Sequence, residues 1–285
     1  MTRRVEAARR GLVLRPSIWG QARVLAATLV LLAAAVLFAG PGGAEEEVLR
    51  VGVTPGPHEE VMEVVRDLLR EQGVRVEIVT FADYVTPNLV LAQGEIDANS
   101  FQHEPYLTRF AADRGLDLAV LAPTLNFPMG LYSRWYRSLD EVPPGATVAI
   151  PNDPTNGGRA LLLLADAGLI ELAPGVDLEA TPLDVTANPR RLRIVELDAA
   201  QLPRSLEDVA LAAINTNYAI EAGLNPVRDA LYLEGLQSRF INVIAVRSED
   251  LHRPVFQKLV EAYHSEQVRQ FVEERFEGAV IPGWE

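Results

Sequence analysis

The apolar positions of this chain change rhythm along its length. Residues 24–39 run sixteen positions without a charge, whereas beyond Glu45 apolar residues come in short blocks separated by turn-formers. Residues 48–54 (VLRVGVT) and 74–80 (VRVEIVT) are β-branched and predict strands, the first stopped by Pro55-Gly56-Pro57. Between them Val61, Val64, Val65, Leu68 and Leu69 recur at helical spacing, predicting an amphipathic helix over 58–71 that ends near Gly73. A second helix is expected over 86–93 and a third strand over 117–122. This βαβαβ order predicts a parallel sheet, because parallel neighbours need a crossover. A second run of the same kind follows. It has a strand at 147–150, a helix over 157–167, short strands near 192–196 and 209–215, and a buried strand over 240–247. A helical tail with Phe256, Leu259, Val260 and Tyr263 on one face closes the chain. Two α/β runs without a flexible linker predict two lobes joined by extended crossovers. Ligands of such folds sit at strand ends and between domains.

The 24–39 run is preceded by Arg3, Arg4, Arg9, Arg10, Arg15 and Arg23 and followed by Gly40-Pro41-Gly42-Gly43-Ala44. Basic, apolar and small-residue regions in that order read as a secretory signal peptide over 1–44, cleaved after Ala44. An uncleaved N-terminal anchor is the alternative, although the run is shorter than the ~20 residues that span a bilayer. Either reading puts the body outside the membrane, with the N-terminus on the cytoplasmic side.

Charge sharpens this picture. Residues 1–44 carry a net +5, and the rest of the 285-residue chain carries −18. An acidic body without a basic cluster argues against nucleic-acid partners, and no such partner is expected. Cysteine is absent, which excludes thiol nucleophiles, disulfides and cysteine-held metals. No G-x-S-x-G, Walker-type loop or G-x-G-x-x-G stands at a strand–helix junction. His58-Glu59-Glu60 reads as a helix start, its acids favoured by the helix dipole, rather than as a metal site. Neither an enzymatic activity nor a metal or cofactor is expected.

Three stretches carry polar or aromatic groups that a plain core would not choose. The first joins FADYVTPN (81–88) to DANSFQHEPY (97–106), presenting Tyr84, Phe101, His103 and Tyr106 from one rim of the sheet. Those rings could equally cap the core. The second, PNDPTNGGR (151–159), opens an apolar helix. Free N–H groups at a helix start and the fork of Arg159 suit a carboxylate. The third pairs INTNY (214–218) with FINVI (240–244), where Asn242 interrupts an apolar strand. A buried amide without partners costs about 1–3 kcal/mol, so Asn242 either satisfies nearby backbone or faces a polar ligand.

These stretches, with DANSFQHEPYL (97–107), VAIPNDPTNGGRALLLL (148–164), AAQLPRSLEDV (199–209) and INTNYA (214–219), resemble the NlpA/MetQ family of methionine-binding proteins that serve ABC importers. The likeness runs from about Leu49 to Trp284. The resemblance implies an α/β, two-lobed, periplasmic-binding-protein-like fold with a cleft between the lobes. One lobe would span 45–130 plus 241–285, the other 131–240. Carried over residue by residue, Tyr84, Phe101 and His103 would surround the ligand side chain. Arg159, with Asn156 beside it, would hold the carboxylate, and Asn215 and Asn242 the amino and carboxylate groups. The implied ligand is L-methionine, with D-methionine, a methionine-containing dipeptide or another apolar amino acid as alternatives. An exported hydrolase or transferase on the same scaffold is a further alternative. The implied partners are the importer's permease and its ATPase subunits. Membrane contact would run through the permease or an uncleaved N-terminal helix. One position departs from the family. Pro41 stands where a lipid-bearing Cys would follow Leu37-Phe38-Ala39-Gly40, so the expectation is a periplasmic or extracytoplasmic protein that is not cysteine-lipidated.

Overall fold

The computed structural model describes residues 47–235 and 239–284. The signal-peptide expectation for 1–44 lies outside the described residues. The chain first lays down β1 (Glu47–Val53), α1 (Pro57–Glu71), β2 (Val74–Thr80), α2 (Thr86–Ala92), β3 (Ala98–His103), α3 (Glu104–Arg114) and β4 (Leu118–Asn126). A second set follows: β5 (Gly130–Tyr132), β6 (Thr147–Pro151), α4 (Pro154–Asp166), β7 (Glu171–Leu172), β8 (Val185–Ala187) and β9 (Arg193–Leu197). It is completed by α5 (Leu202–Ser205), β10 (Leu211–Ile214), α6 (Thr216–Glu221), α7 (Pro226–Asp229) and β11 (Tyr232–Leu233). The chain ends with β12 (Ile241–Arg247), α8 (Pro254–Tyr263), α9 (Glu266–Phe276) and β13 (Ile281–Pro282).

These strands form two separate sheets, ordered β13-β4-β12-β3-β1-β2 and β11-β5-β10-β6-β9, with β7 and β8 as a small pair apart. The chain crosses between the sheets twice, at 127–129 and between Leu233 and Ile241. Helical crossovers make β1 parallel to both β2 and β3. In contrast β12, which arrives from the other sheet, runs antiparallel to β3 and β4. The predicted third strand therefore exists as β4, but it is not the third parallel strand. That place belongs to β3, whose letters ANSFQH conceal a strand buried at every position. Four polar side chains in a fully buried strand break the apolar signature on which strand prediction rests.

Packing explains the remaining elements briefly. Helix α1 has Pro57 in its first turn, Glu59 and Glu60 near its N-terminus and Arg70 in its last turn, all favourable to its dipole. Its buried stripe, Val61, Met62, Val65 and Leu69, joins Leu49, Val51, Phe256 and Tyr263 in the core under the first sheet. A second core under the other sheet gathers Leu131, Val148, Ile150, Leu161, Leu164 and Leu211. Strand β3 is tied to α2 by buried amides. Asn88 Nδ2 donates to Gln102 Oε1 at 2.7 Å, and Asn88 Oδ1 accepts from Asn99 Nδ2 at 2.9 Å and Gln102 Nε2 at 2.7 Å. This network holds the end of β3, where Phe101 and His103 stand, against the neighbouring helix.

Candidate functional site

A small cavity lies between the two sheets, close to both crossings. All seven residues singled out from the sequence line it: Tyr84, Phe101, His103, Asn156, Arg159, Asn215 and Asn242. Its remaining lining includes Gln102, Tyr106, Phe127, Thr216 and Asn217.

One part of the wall is aromatic. The Tyr84 and Phe101 rings lie 5.7 Å apart, and Tyr106 meets Phe101 edge-on at 6.2 Å. Tyr84 also lies 4.9 Å from Tyr218 of α6, across the gap between the sheets. Hydrogen bonds fix these rings. Tyr84 donates to Asn217 Oδ1 at 2.6 Å, and Tyr106 donates to the Tyr84 carbonyl at 2.8 Å.

The other part is polar. His103 ends β3 and caps α3, its Nδ1 accepting from the Tyr106 N–H at 3.1 Å. That bond leaves the proton on Nε2, which donates to Asn156 Oδ1 at 3.2 Å. Burial, aided by the nearby Arg159 charge, lowers the His103 pKa to about 3, so the ring is neutral. Asn156 Oδ1 also accepts from Asn215 Nδ2 at 2.8 Å. Asn215 Oδ1 remains buried without a partner among the described residues, an acceptor on a lining side chain.

Two local readings of the sequence are corrected. The start of α4 is not a free anion site. Asp153 caps it, accepting from the Asn156 N–H at 2.9 Å and from Asn156 Nδ2 at 3.0 Å, so that donor is already taken. Because α4 begins at Pro154, Arg159 falls in its second turn rather than its first. His58 stands in the first turn of α1, where the sequence places a helix start. It is buried, its ring lies 4.4 Å from Phe127, and its Nε2 accepts from Asn242 Nδ2 at 3.4 Å. Burial lowers its pKa to about 3 as well. The partner of Asn242 is thus a side chain, and one that the alternation of apolar residues in α1 does not betray.

Arg159 reaches the cavity but does not come to it alone. Its Nε donates to Glu234 Oε1 at 3.1 Å, and its Nη2 to Glu234 Oε2 at 2.5 Å and to the Phe127 carbonyl at 2.7 Å. The Phe240 ring covers the guanidinium at 4.2 Å. Of its five donors, those on Nη1 have no described partner. Sequence reasoning missed Glu234, which sits in the unpatterned stretch LEGLQSRF (233–240), and Phe127, which sits at a crossing.

The chain is similar to proteins of one family. A family model described as NlpA lipoprotein matches residues 49–284. The chain is 46% identical over 239 residues to the D-methionine-binding lipoprotein MetQ of Escherichia coli K12, covering 83% of this chain and 88% of that protein. Among solved structures it resembles a nutrient binding protein from Burkholderia cenocepacia bound to methionine, at 46% identity and TM-score 0.81, covering 83% of this chain and all of that one. It also resembles a periplasmic substrate-binding protein of an ABC transporter from Coxiella burnetii, at 49% identity and TM-score 0.80, covering 82% of this chain and all of that one.

These findings overturn one expectation. Pro41 and the missing cysteine predicted a protein that is not cysteine-lipidated, whereas the matched family is described as lipoprotein and the E. coli relative is named one. The unlipidated localisation is withdrawn. It leaned on position 41, outside the described residues, and on the lack of cysteine in the sequence. On a family match spanning 49–284 and a relative of this identity, the chain belongs to the NlpA lipoprotein family.

Proposed function

We propose that this chain is the extracytoplasmic substrate-binding component of an ABC importer, that it binds methionine between its lobes and presents it to the permease and ATPase subunits. One observation carries the reading: the same cavity joins an aromatic cluster to a cluster of Arg159 and three amides. A free amino acid with an apolar, polarisable side chain matches both. Its thioether gains about 0.3–1.5 kcal/mol per ring contact against Tyr84 and Phe101. Its carboxylate pairs with Nη1 of Arg159 and the Asn242 amide. Its ammonium donates to Asn215 Oδ1, which is otherwise unpaired. Neutral His103 closes the side-chain end without adding charge. The relatives' names, one for D-methionine and one structure bound to methionine, support the ligand class and leave the hand of the Cα open to measurement. The two sheets, drawn from opposite sides of the crossings, support reading 45–130 with 241–285 as one lobe and 131–240 as the other.

Ligand that binds only the native state raises the melting temperature, by about 2.7 kcal/mol of stability at a hundredfold excess over Kd. A thermal-shift screen of the standard amino acids together with D-methionine tests the proposal. One methionine enantiomer is expected to give the largest shift. A larger shift from an acidic, basic or hydroxylated amino acid contradicts it.

A further inference from the structure

Arg159 presents a puzzle for any carboxylate-binding role, because it is already paired. Its side chain is 3% exposed and that of Glu234 17%, and the two share a bidentate contact. Glu234 does not line the cavity; it stands behind Arg159 in the crossing that leads to β12. Its Oε2 also accepts from the Met129 N–H at 3.2 Å, and its own N–H donates to the Met129 carbonyl at 2.9 Å, so both crossings hold it in place.

The charge balance that results is unusual for a site meant to receive an anion. Among the described residues, two oppositely charged groups lie on the cavity lining or bond to it, Arg159 and Glu234, whereas burial raises the pKa of Asp153, behind Asn156, and disfavours its charged form. His58 and His103 are neutral. Arg239, the next cation along the chain, is paired with Asp177 through Nη1 at 2.7 Å. The Arg159 and Glu234 charges cancel before any ligand enters, so a carboxylate alone leaves the site with an unbalanced negative charge. A zwitterion does not, because its ammonium can sit against the unpaired Asn215 Oδ1.

We propose that Glu234 is a specificity-determining residue: by neutralising Arg159 from behind, it makes the site reject simple carboxylates and demand a ligand that carries its own ammonium. This rests on the reading that Arg159 faces the ligand carboxylate. Glu234 also positions the guanidinium, and the test separates the two effects.

The full chain is titrated calorimetrically with three ligands: methionine, 4-(methylthio)butanoate, which lacks the ammonium, and methioninol, which lacks the carboxylate. In the wild type, methionine binds best and methioninol binds about tenfold or more tighter than the butanoate. The reverse order of the two analogues overturns the proposal without recourse to any variant. Glu234→Gln keeps the side chain's shape and removes its charge, and the preference for methionine over the butanoate is expected to fall about tenfold or more. Glu234→Asp keeps the charge at shorter reach and retains the preference even where affinity drops. Equal weakening of both ligands in the two variants, with the ratio unchanged, reduces Glu234 to a structural prop and overturns the inference. Failure of the wild type to bind methionine at all is distinguishable, because it removes the underlying reading of the ligand itself.

Discussion

At the scale of single residues, the site is built from groups that burial forces into one protonation state. His58 and His103 are both held neutral, with pKa values near 3 against an ordinary value of 6.5. In the unfolded chain each imidazole protonates as pH falls below about 6.5, whereas in the native protein it does not until about pH 3. The unfolded state therefore takes up more protons in that window. Stability contributed by neutral burial is complete above pH 6.5 and is lost as pH falls toward 3, by up to about 1.4 kcal/mol per pH unit for each histidine. Urea unfolding at a series of pH values is expected to show a shallower acid limb in His58→Gln and in His103→Gln than in the wild type; parallel limbs contradict this. The place of His103 on the cavity lining was legible in the sequence because it stands in a polar, aromatic block after a strand. The pairing of His58 with Asn242 was not. Helical periodicity assigns it to the start of α1, and only the antiparallel arrival of β12 brings Asn242 within reach of it.

At the scale of elements, the segment PNDPTNGGR shows how a loop and a helix share the work. Asp153 caps α4 and simultaneously holds Asn156, so the side chain that His103 and Asn215 both address is fixed from its own helix end. The glycines behind it serve packing. A Cβ on Gly158 would meet the Leu178 carbonyl oxygen at 2.2 Å, and one on Gly157 the Pro151 oxygen at 2.9 Å. Gly158→Ala must push the backbone near Leu178 off the helix, with an expected loss of roughly 1–3 kcal/mol of stability. Differential scanning calorimetry checks this, and an unchanged Tm contradicts the close approach. The sequence showed α4, β6 and the first two strands within a residue or three, because their apolar rhythm is regular. It concealed β3 and α3 because the side chains of β3 are polar for the sake of the buried amide network and the cavity, and site chemistry overrides strand patterning there.

At the scale of the molecule, the lobes meet through bonds of two kinds. His103 to Asn156 is buried and Tyr84 to Asn217 part-buried, both bordering the cavity, whereas Arg109 to Glu179 is an exposed ion pair away from it, with Nη1 to Oε1 at 2.6 Å. Buried bonds leave an unpaired group behind when broken, worth about 1–3 kcal/mol. An exposed pair is worth about 0–1 kcal/mol. Tyr84→Phe, which strands Asn217 Oδ1, is therefore expected to weaken ligand binding about tenfold or more, mainly through faster release. Arg109→Ala should change it less than about threefold. Stopped-flow dissociation with the two variants checks the contrast, and equal effects contradict it. Two lobes and a cleft were legible from the repeated α/β runs. The crossings and what they carry were not, because 127–129 and 234–240 have no periodicity, yet Phe127 and Glu234 both bind Arg159.

The central claim is that this cavity holds methionine through Arg159. Isothermal titration of ligand-free protein with L- and D-methionine, repeated on Arg159→Ala, tests it most directly. The expected result is saturable one-to-one binding of at least one enantiomer, lost by about 2–5 kcal/mol in the variant as a buried carboxylate goes unpaired. Absence of binding by both enantiomers, or the same affinity in Arg159→Ala, contradicts it.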